Sequence, residues 1–250
     1  MLAPMAMALR QQNVPVKIVY LGHRDGSALM VHKESDIHTM GDLRGKRIAV
    51  PNRFSNQYLM INKALEDNGM TAQDITLLEM PPPDMPAALY AKAVDAIISG
   101  EPFMGQTELD GYGRVLYQAK ELWPNFISCV LVVRDDFIRD HPDQVQEMVN
   151  GIAQSGLWLD KSMDNRMKAA VSVAENYYNQ DPRLLSFVLS KPPDRVTYTK
   201  LRLAREDFKE IERLALKAGV LDGPIAFEEY TDTRFSENTT DIGSYPWEAP

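Results

Sequence analysis

Short apolar runs alternate with amphipathic helical patterns through the first half of the chain, and that alternation calls for a parallel sheet with crossover helices packed on its faces. Val16 to Leu21 reads as a strand, Gly22 to Gly26 as a loop and Ser27 to His32 as a second strand. Arg47 to Val50, Ile75 to Met80, Ala96 to Ser99 and Arg114 to Tyr117 follow as further strands. Tyr58, Ile61 and Leu65 mark one face of a helix expected over about Asn56 to Asn68, with Gly69 as its stop signal. Asp84 is placed to cap another over Met85 to Ala93.

After one more strand, Ile127 to Val133, the pattern becomes helical. Val145, Met148, Val149 and Ile152 form one stripe; Ala170, Val171, Ala174, Tyr177 and Tyr178 a second; Phe208, Ile211, Leu214 and Ala218 a third. Such spacing is expected of core packing. From Asp222 onward the chain is polar and without period, and is expected to wrap a surface or stay partly disordered. Residues 34–118 then form one self-contained unit, and residues 1–33 and 119–250 a second body that the chain leaves and re-enters. Two crossings make a hinge.

Composition excludes several classes of function. With 44% hydrophobic residues, the 250-residue chain fills a real core. No uncharged stretch exceeds the 12 residues of Leu122 to Val133, too short for a membrane-spanning helix, so no direct membrane insertion is expected. Cys129 is the single cysteine, which excludes an internal disulfide and cysteine-clustered metal sites. The net charge of -8 gathers near the C-terminus, where residues 219–250 hold seven acids against Arg234 alone. No basic stripe points to nucleic acid. Phosphate-binding glycine loops, a nucleophile elbow and a zinc-protease motif are all missing, and His23, His32, His38 and His141 lack metal-ligand spacing. No cofactor, metal or catalytic residue is expected.

Three polar segments end predicted strands, where open α/β sheets bind their ligands. They are His23 to Ser27, Asn52 to Gln57, and Glu101-Pro102-Phe103. Ser55 and Asn56 open a helix whose free N–H groups suit an anion, although Ser55 also reads as an ordinary cap. Glu101 is a candidate for a ligand amine or an arginine partner, Arg24 for an anionic ligand, and Ser27 lies beside it. Trp123 and Phe126 offer an aromatic wall or hinge packing. His23 beside Asp25 is a conceivable general base, and a loop facing water is the blander reading. Cys129, inside an apolar run, reads as a small hydrophobe.

Several of these segments resemble one family. Val16 to Val31, Asp42-Leu43-Arg44-Gly45-Lys46-Arg47-Ile48-Ala49-Val50, Met85-Pro86-Ala87-Ala88-Leu89, Val94-Asp95-Ala96 and Gly100-Glu101-Pro102-Phe103 are similar, in order and spacing, to nitrate/sulfonate/taurine-type substrate-binding proteins of ABC importers. The resemblance covers about residues 1–220. It implies a two-lobed type II periplasmic-binding α/β fold, each lobe a mostly parallel sheet flanked by helices. It also implies a small anionic or zwitterionic solute such as nitrate, a sulfonate, taurine or bicarbonate, bound without catalysis and with contacts at Ser55, Asn56, Glu101, His23 and Arg24. A membrane permease as partner, a monomeric state and a periplasmic or lipid-anchored location follow from the same resemblance. The chain as given carries no signal peptide, and its start at Leu2-Ala3-Pro4-Met5 resembles the family's interior, so roughly 70 to 100 residues of the first lobe are expected to be missing. Two other functions use related scaffolds: thiamine-pyrimidine synthases, whose cysteine-rich segment has no counterpart here, and ligand-sensing domains of transcription regulators.

Overall fold

The computed structural model describes residues 1–178 and 180–239. Helix α1, Ala3–Gln11, opens on Pro4, which fits the first turn because its missing N–H has no partner there anyway. The chain then forms β1 (Val16–Asp25) and β2 (Ser27–His32), β3 (Arg47–Val50), α2 (Asn56–Asp67), β4 (Thr76–Glu79), α3 (Met85–Tyr90), β5 (Ala96–Gly100), α4 (Phe103–Leu109) and β6 (Gly113–Gln118). It continues through α5 (Ala119–Leu122), β7 (Ile127–Arg134), α6 (Asp135–Asp140), α7 (Pro142–Lys161), α8 (Met163–Val173), α9 (Pro182–Ser190), β8 (Val196–Thr197), α10 (Arg205–Lys217), α11 (Phe227–Tyr230) and α12 (Arg234–Glu237).

Two sheets organise the molecule. The larger has the order β4-β3-β5-β2-β6 and the smaller β7-β1-β8. In the larger, β3 pairs parallel with β4 and β5, while β2 runs antiparallel between β5 and β6. The smaller sheet is antiparallel throughout, contrary to the expected mostly parallel lobe. Its strands come from distant parts of the chain, so no short crossover helix forces parallel pairing.

Burial on both faces explains the larger sheet's apolar runs. Leu29, Val31, Ile48, Val50 and Ile98 meet α2 on one side. Ala28, Met30, Ala49 and Ile97 meet Met85, Leu89 and Met104 on the other. The smaller sheet packs Ile18, Val19 and Leu21 against Met7 of α1, Val149 of α7 and Phe208 of α10.

Three expectations need correction here. Strand β1 runs through His23, Arg24 and Asp25, which the glycines on either side made look like a loop. Arg24 pairs with Ile127 and Thr197, and the Asp25 N–H donates to Phe126 O at 3.0 Å, so neighbouring strands satisfy this backbone. Strand β2 belongs to the larger sheet, which places the first crossing at Gly26 rather than after residue 33. Finally, the polar segment after Asp222 enters the core. Phe227 and Tyr230 stack with Phe208 at centroid distances of 5.5 and 5.8 Å, Phe235 is buried, and Thr231 bridges to Ile18. The part of that expectation covering residues 240–250 lies outside the described residues.

Helix boundaries fall within a few residues of the predicted ones, but not every stripe is core. Met148 and Val171 are 41% and 45% exposed, because α7 and α8 bury only one side, and Tyr177, in the π-helical segment Ala174–Tyr178 after α8, is 72% exposed. The side chain of Tyr178 lies outside the described residues.

Candidate functional site

The chain passes between sheets at Gly26 and again over Gln118 to Ile127, and the buried polar side chains collect at these crossings. Ser55 caps α2: its Oγ accepts from the Tyr58 N–H at 3.0 Å and donates to Asn52 O at 2.7 Å. The remaining first-turn N–H groups of this 12-residue helix have no intrahelical acceptor. Asn56 Nδ2 donates to Ile127 O at 2.7 Å and Ser128 O at 3.1 Å, tying the helix of one body to the strand of the other. Gln57 Nε2 donates to Ser27 Oγ at 3.0 Å.

Three buried oxygens in this region, Asn56 Oδ1, Gln57 Oε1 and Asp25 Oδ1, have no hydrogen-bond partner. All three are acceptors in their assigned orientation. The other Asp25 oxygen accepts from Thr197 Oγ1 at 3.1 Å, and burial raises the Asp25 carboxyl above its ordinary value despite that bond and nearby cations. Gly100 closes the cluster: a Cβ there would stand 3.7 Å from Gly26 O and 3.8 Å from Ser27 Oγ. The region around the junction therefore combines the N–H groups of a helix end with three side-chain acceptors that lack partners.

Two expected ligand contacts are already engaged. Glu101 meets Arg195 at 2.6 Å and accepts from the Gly105 N–H at 2.7 Å. Burial pushes its carboxyl up, opposed by that guanidinium and N–H. Arg195, almost fully buried, also reaches Glu108 at 2.8 Å, so a single cation ties two carboxylates of the larger-sheet body to the segment leading into β8. Arg24 donates Nε to Lys200 O at 2.9 Å, Nη1 to Asn125 O at 2.6 Å and Nη2 to Asp207 at 2.6 Å. It is a pin within the smaller-sheet body, with all three nitrogens bonded.

His23 and Cys129 face each other across β1 and β7. Burial pulls the His23 imidazole down, but its interaction with Cys129 and nearby charge outweigh that, leaving it above its ordinary value. Burial would raise the Cys129 thiol, and His23 holds it below. The sulfur fits because position 22 is glycine, where a Cβ would overlap it. Trp123 stacks edge-on against Phe126 at 5.9 Å and packs against the cores of both bodies. It also lines a cavity of about 270 Å³ with Asn56, Ile127, Asp207 and Glu210.

The structure thus gathers Ser27, Asn56 and the Glu101 strand end at the junction, together with the Ser55 cap, and leaves Arg24 committed elsewhere. Sequence reasoning passed over Gln57, Asp25 as a junction acceptor, and Arg195. Gln57 carries a signal: an amide in the first turn of a helix, followed by an apolar face. Arg195 carries none, because its partners lie 94 and 87 residues away. No group of three or more His, Cys, Asp or Glu side chains positioned for a metal occurs among the described residues.

Two sheet-built bodies joined by two crossings, with buried polar groups at the join, constitute the fold of periplasmic binding proteins of ABC import systems. Residues 1–174 match the model of the NMT1-like family, and the chain belongs to that family. The taurine-binding periplasmic protein of Escherichia coli is 29% identical over 178 residues, which cover 67% of this chain and 54% of that protein. The nitrate/nitrite binding protein NrtA of Nostoc is 27% identical over 107 residues, 43% of this chain and 24% of that protein. The chain therefore spans about half or less of the length of these relatives. Among solved structures, the ligand binding component of an ABC-type import system from Staphylococcus aureus superposes with a TM-score of 0.82 at 22% identity, covering 96% of this chain and 79% of that one. The desulfurization enzyme DSZB has the same fold at a TM-score of 0.66 and 17% identity, covering 94% and 82%. The scaffold is thus shared by binding proteins and an enzyme.

Proposed function

We propose that this chain is the solute-binding part of an ABC importer and that it holds a small anionic or zwitterionic solute at the junction of its two bodies without transforming it. The observation that carries the reading is the meeting of the α2 N-terminus with the three unpartnered acceptors of Asp25, Asn56 and Gln57. A helix end attracts the anionic group. Buried acceptors favour a solute that also bears N–H donors, because each then gains a bond it otherwise lacks. Family membership supports the same reading, as do the taurine- and nitrate-binding relatives. Export to the periplasm, action with a membrane permease and a monomeric state belong to this proposal.

The test is calorimetric titration of the folded chain with taurine, alkanesulfonates, nitrate and bicarbonate. Taurine is expected to bind, and Gln57→Leu to weaken it by roughly tenfold, the usual scale for one buried polar contact. Absence of heat from all four removes the reading. One observation favours an enzyme instead, the lowered Cys129 thiol beside His23. Recovery of a chemically altered solute after incubation, abolished in Cys129→Ser, would move the assignment to that class.

A further inference from the structure

A solute that bonds the buried oxygens of Asp25, Asn56 and Gln57 reaches them only if contacts between the two bodies part. Those contacts fall into two sets. One surrounds the first crossing, where the Gly26 N–H donates to Arg195 O at 2.7 Å and the Gly26 carbonyl accepts from the Glu101 N–H at 2.8 Å. Thr197 bonds the adjacent Asp25, and the Arg195 side chain, 1% exposed, holds Glu101 and Glu108. Parting a buried pair of this kind leaves an uncompensated charge. Rotation about Gly26 hardly displaces groups bonded to that residue, so this set stays intact while the bodies turn.

The other set runs along α2 and α10. Glu66, near the end of α2, meets Arg213 at 3.3 Å and Lys217 at 3.0 Å on α10. At about 1.5 Å per residue, Glu66 stands ~15 Å along the helix from Asn56, whose bonds to Ile127 and Ser128 lie beside the second crossing. The same rotation therefore carries it further. Its charges also separate easily: the Glu66 and Lys217 side chains are 38% and 60% exposed, and exposed pairs are individually weak and screened by salt. Leu59 of α2 packs with the smaller-sheet core through apolar contact, which has no directional bonds to break. The cavity of about 270 Å³ lies on this flank, walled by Asn56 of α2 and by Glu206, Asp207 and Glu210 of α10, so parting here widens a space that already reaches Asn56.

We propose, resting on the junction reading above, that the bodies turn about Gly26 with the Arg195 contacts kept and part between α2 and α10. Glu66 with Arg213 and Lys217 is then an ionic latch on the parting flank, and it sets how fast a solute enters and leaves.

Reversible cross-linking on a Cys129→Ala background tests the latch. Glu66→Cys with Lys217→Cys, bridged by a disulfide-containing bismaleimide, fixes the α2–α10 flank. Lys120→Cys with Asp194→Cys, whose native ion pair spans 2.5 Å, fixes the Arg195 side. The first bridge is expected to slow taurine association and dissociation by roughly tenfold or more in stopped-flow tryptophan fluorescence, with recovery on reduction, and the second to leave both within about twofold. Glu66→Gln without a bridge is expected to speed dissociation by about two- to fivefold and to blunt its dependence on sodium chloride. Full-rate exchange under the first bridge, or equal slowing under the second, overturns the proposal. Hydrogen exchange at the Asn56 to Leu59 amides follows the same movement without solute: slower under the first bridge, unchanged under the second. Absence of taurine binding before any bridge forms removes the junction reading alone, and the amide exchange then decides the latch.

Discussion

Asp25 occupies a backbone conformation, φ 59°, that Asn tolerates as well as Asp, so Asp25→Asn alters charge with little effect on shape. Burial raises this carboxyl, which means the native state holds its proton more readily than the unfolded chain. That contribution is complete below the ordinary value of 3.8 and is lost as pH climbs through the raised one. As pH rises above the ordinary value of 3.8 the native protein should therefore lose stability relative to Asp25→Asn, as read from paired thermal melts. Parallel curves would show that Asp25 ionises freely in the fold. At this scale the sequence was least informative. Ser55 could be read as a cap because the signal is local. Arg24 could be recognised as important but not as engaged, since its partners Asn125, Lys200 and Asp207 are scattered over a hundred residues or more away. Arg166, whose Nη1 donates to Leu189 O and Pro193 O, shows the same pattern: a buried cation held by carbonyls that only the tertiary fold brings near.

Helices α4 and α9 approach so closely that Gly105 has no substitute. A Cβ there would overlap Val188 and stand 3.0 Å from Glu101 Oε2. Gly105→Ala is expected to cost about 1–3 kcal/mol by urea unfolding, the usual range for overpacking. Gly100→Ala meets only ordinary contacts of 3.7 Å or more and should be milder. Equal effects would mean that α9 is free to shift. Elements with strong period were legible within a few residues, as α2 shows. Strand β1 was truncated in the sequence reading because Gly22 and Gly26 bracket polar residues, a pattern that also describes a turn. Gly22 instead makes room for the Cys129 sulfur. The C-terminal aromatic cluster was missed because Phe227, Tyr230 and Phe235 sit in pieces of helix too short to show a period.

At the scale of the molecule, Arg195 is a buried ionic connection between bodies, beside the Asn56 hydrogen bonds, and breaking such a pair commonly costs about 3–5 kcal/mol. Arg195→Met keeps the bulk and removes the charge. It is expected to loosen the contact between the bodies, seen as a larger radius of gyration in small-angle scattering of a chain that remains folded. An unchanged scattering curve would mean that the contacts of α2 with α10 suffice to hold the bodies together. The position of the first crossing was not readable from the sequence, because strand pairing rather than local composition assigns β2 to its sheet. That first crossing is one residue wide, and Asp25 and Gly26 both have positive φ. A joint so narrow leaves no slack for sliding, so any relative motion of the sheets at this point would turn about it as about an axle. Whatever reads such a protein from outside would then sense an angle, and lengthening the axle by even a few residues would blur that message before any solute contact was lost.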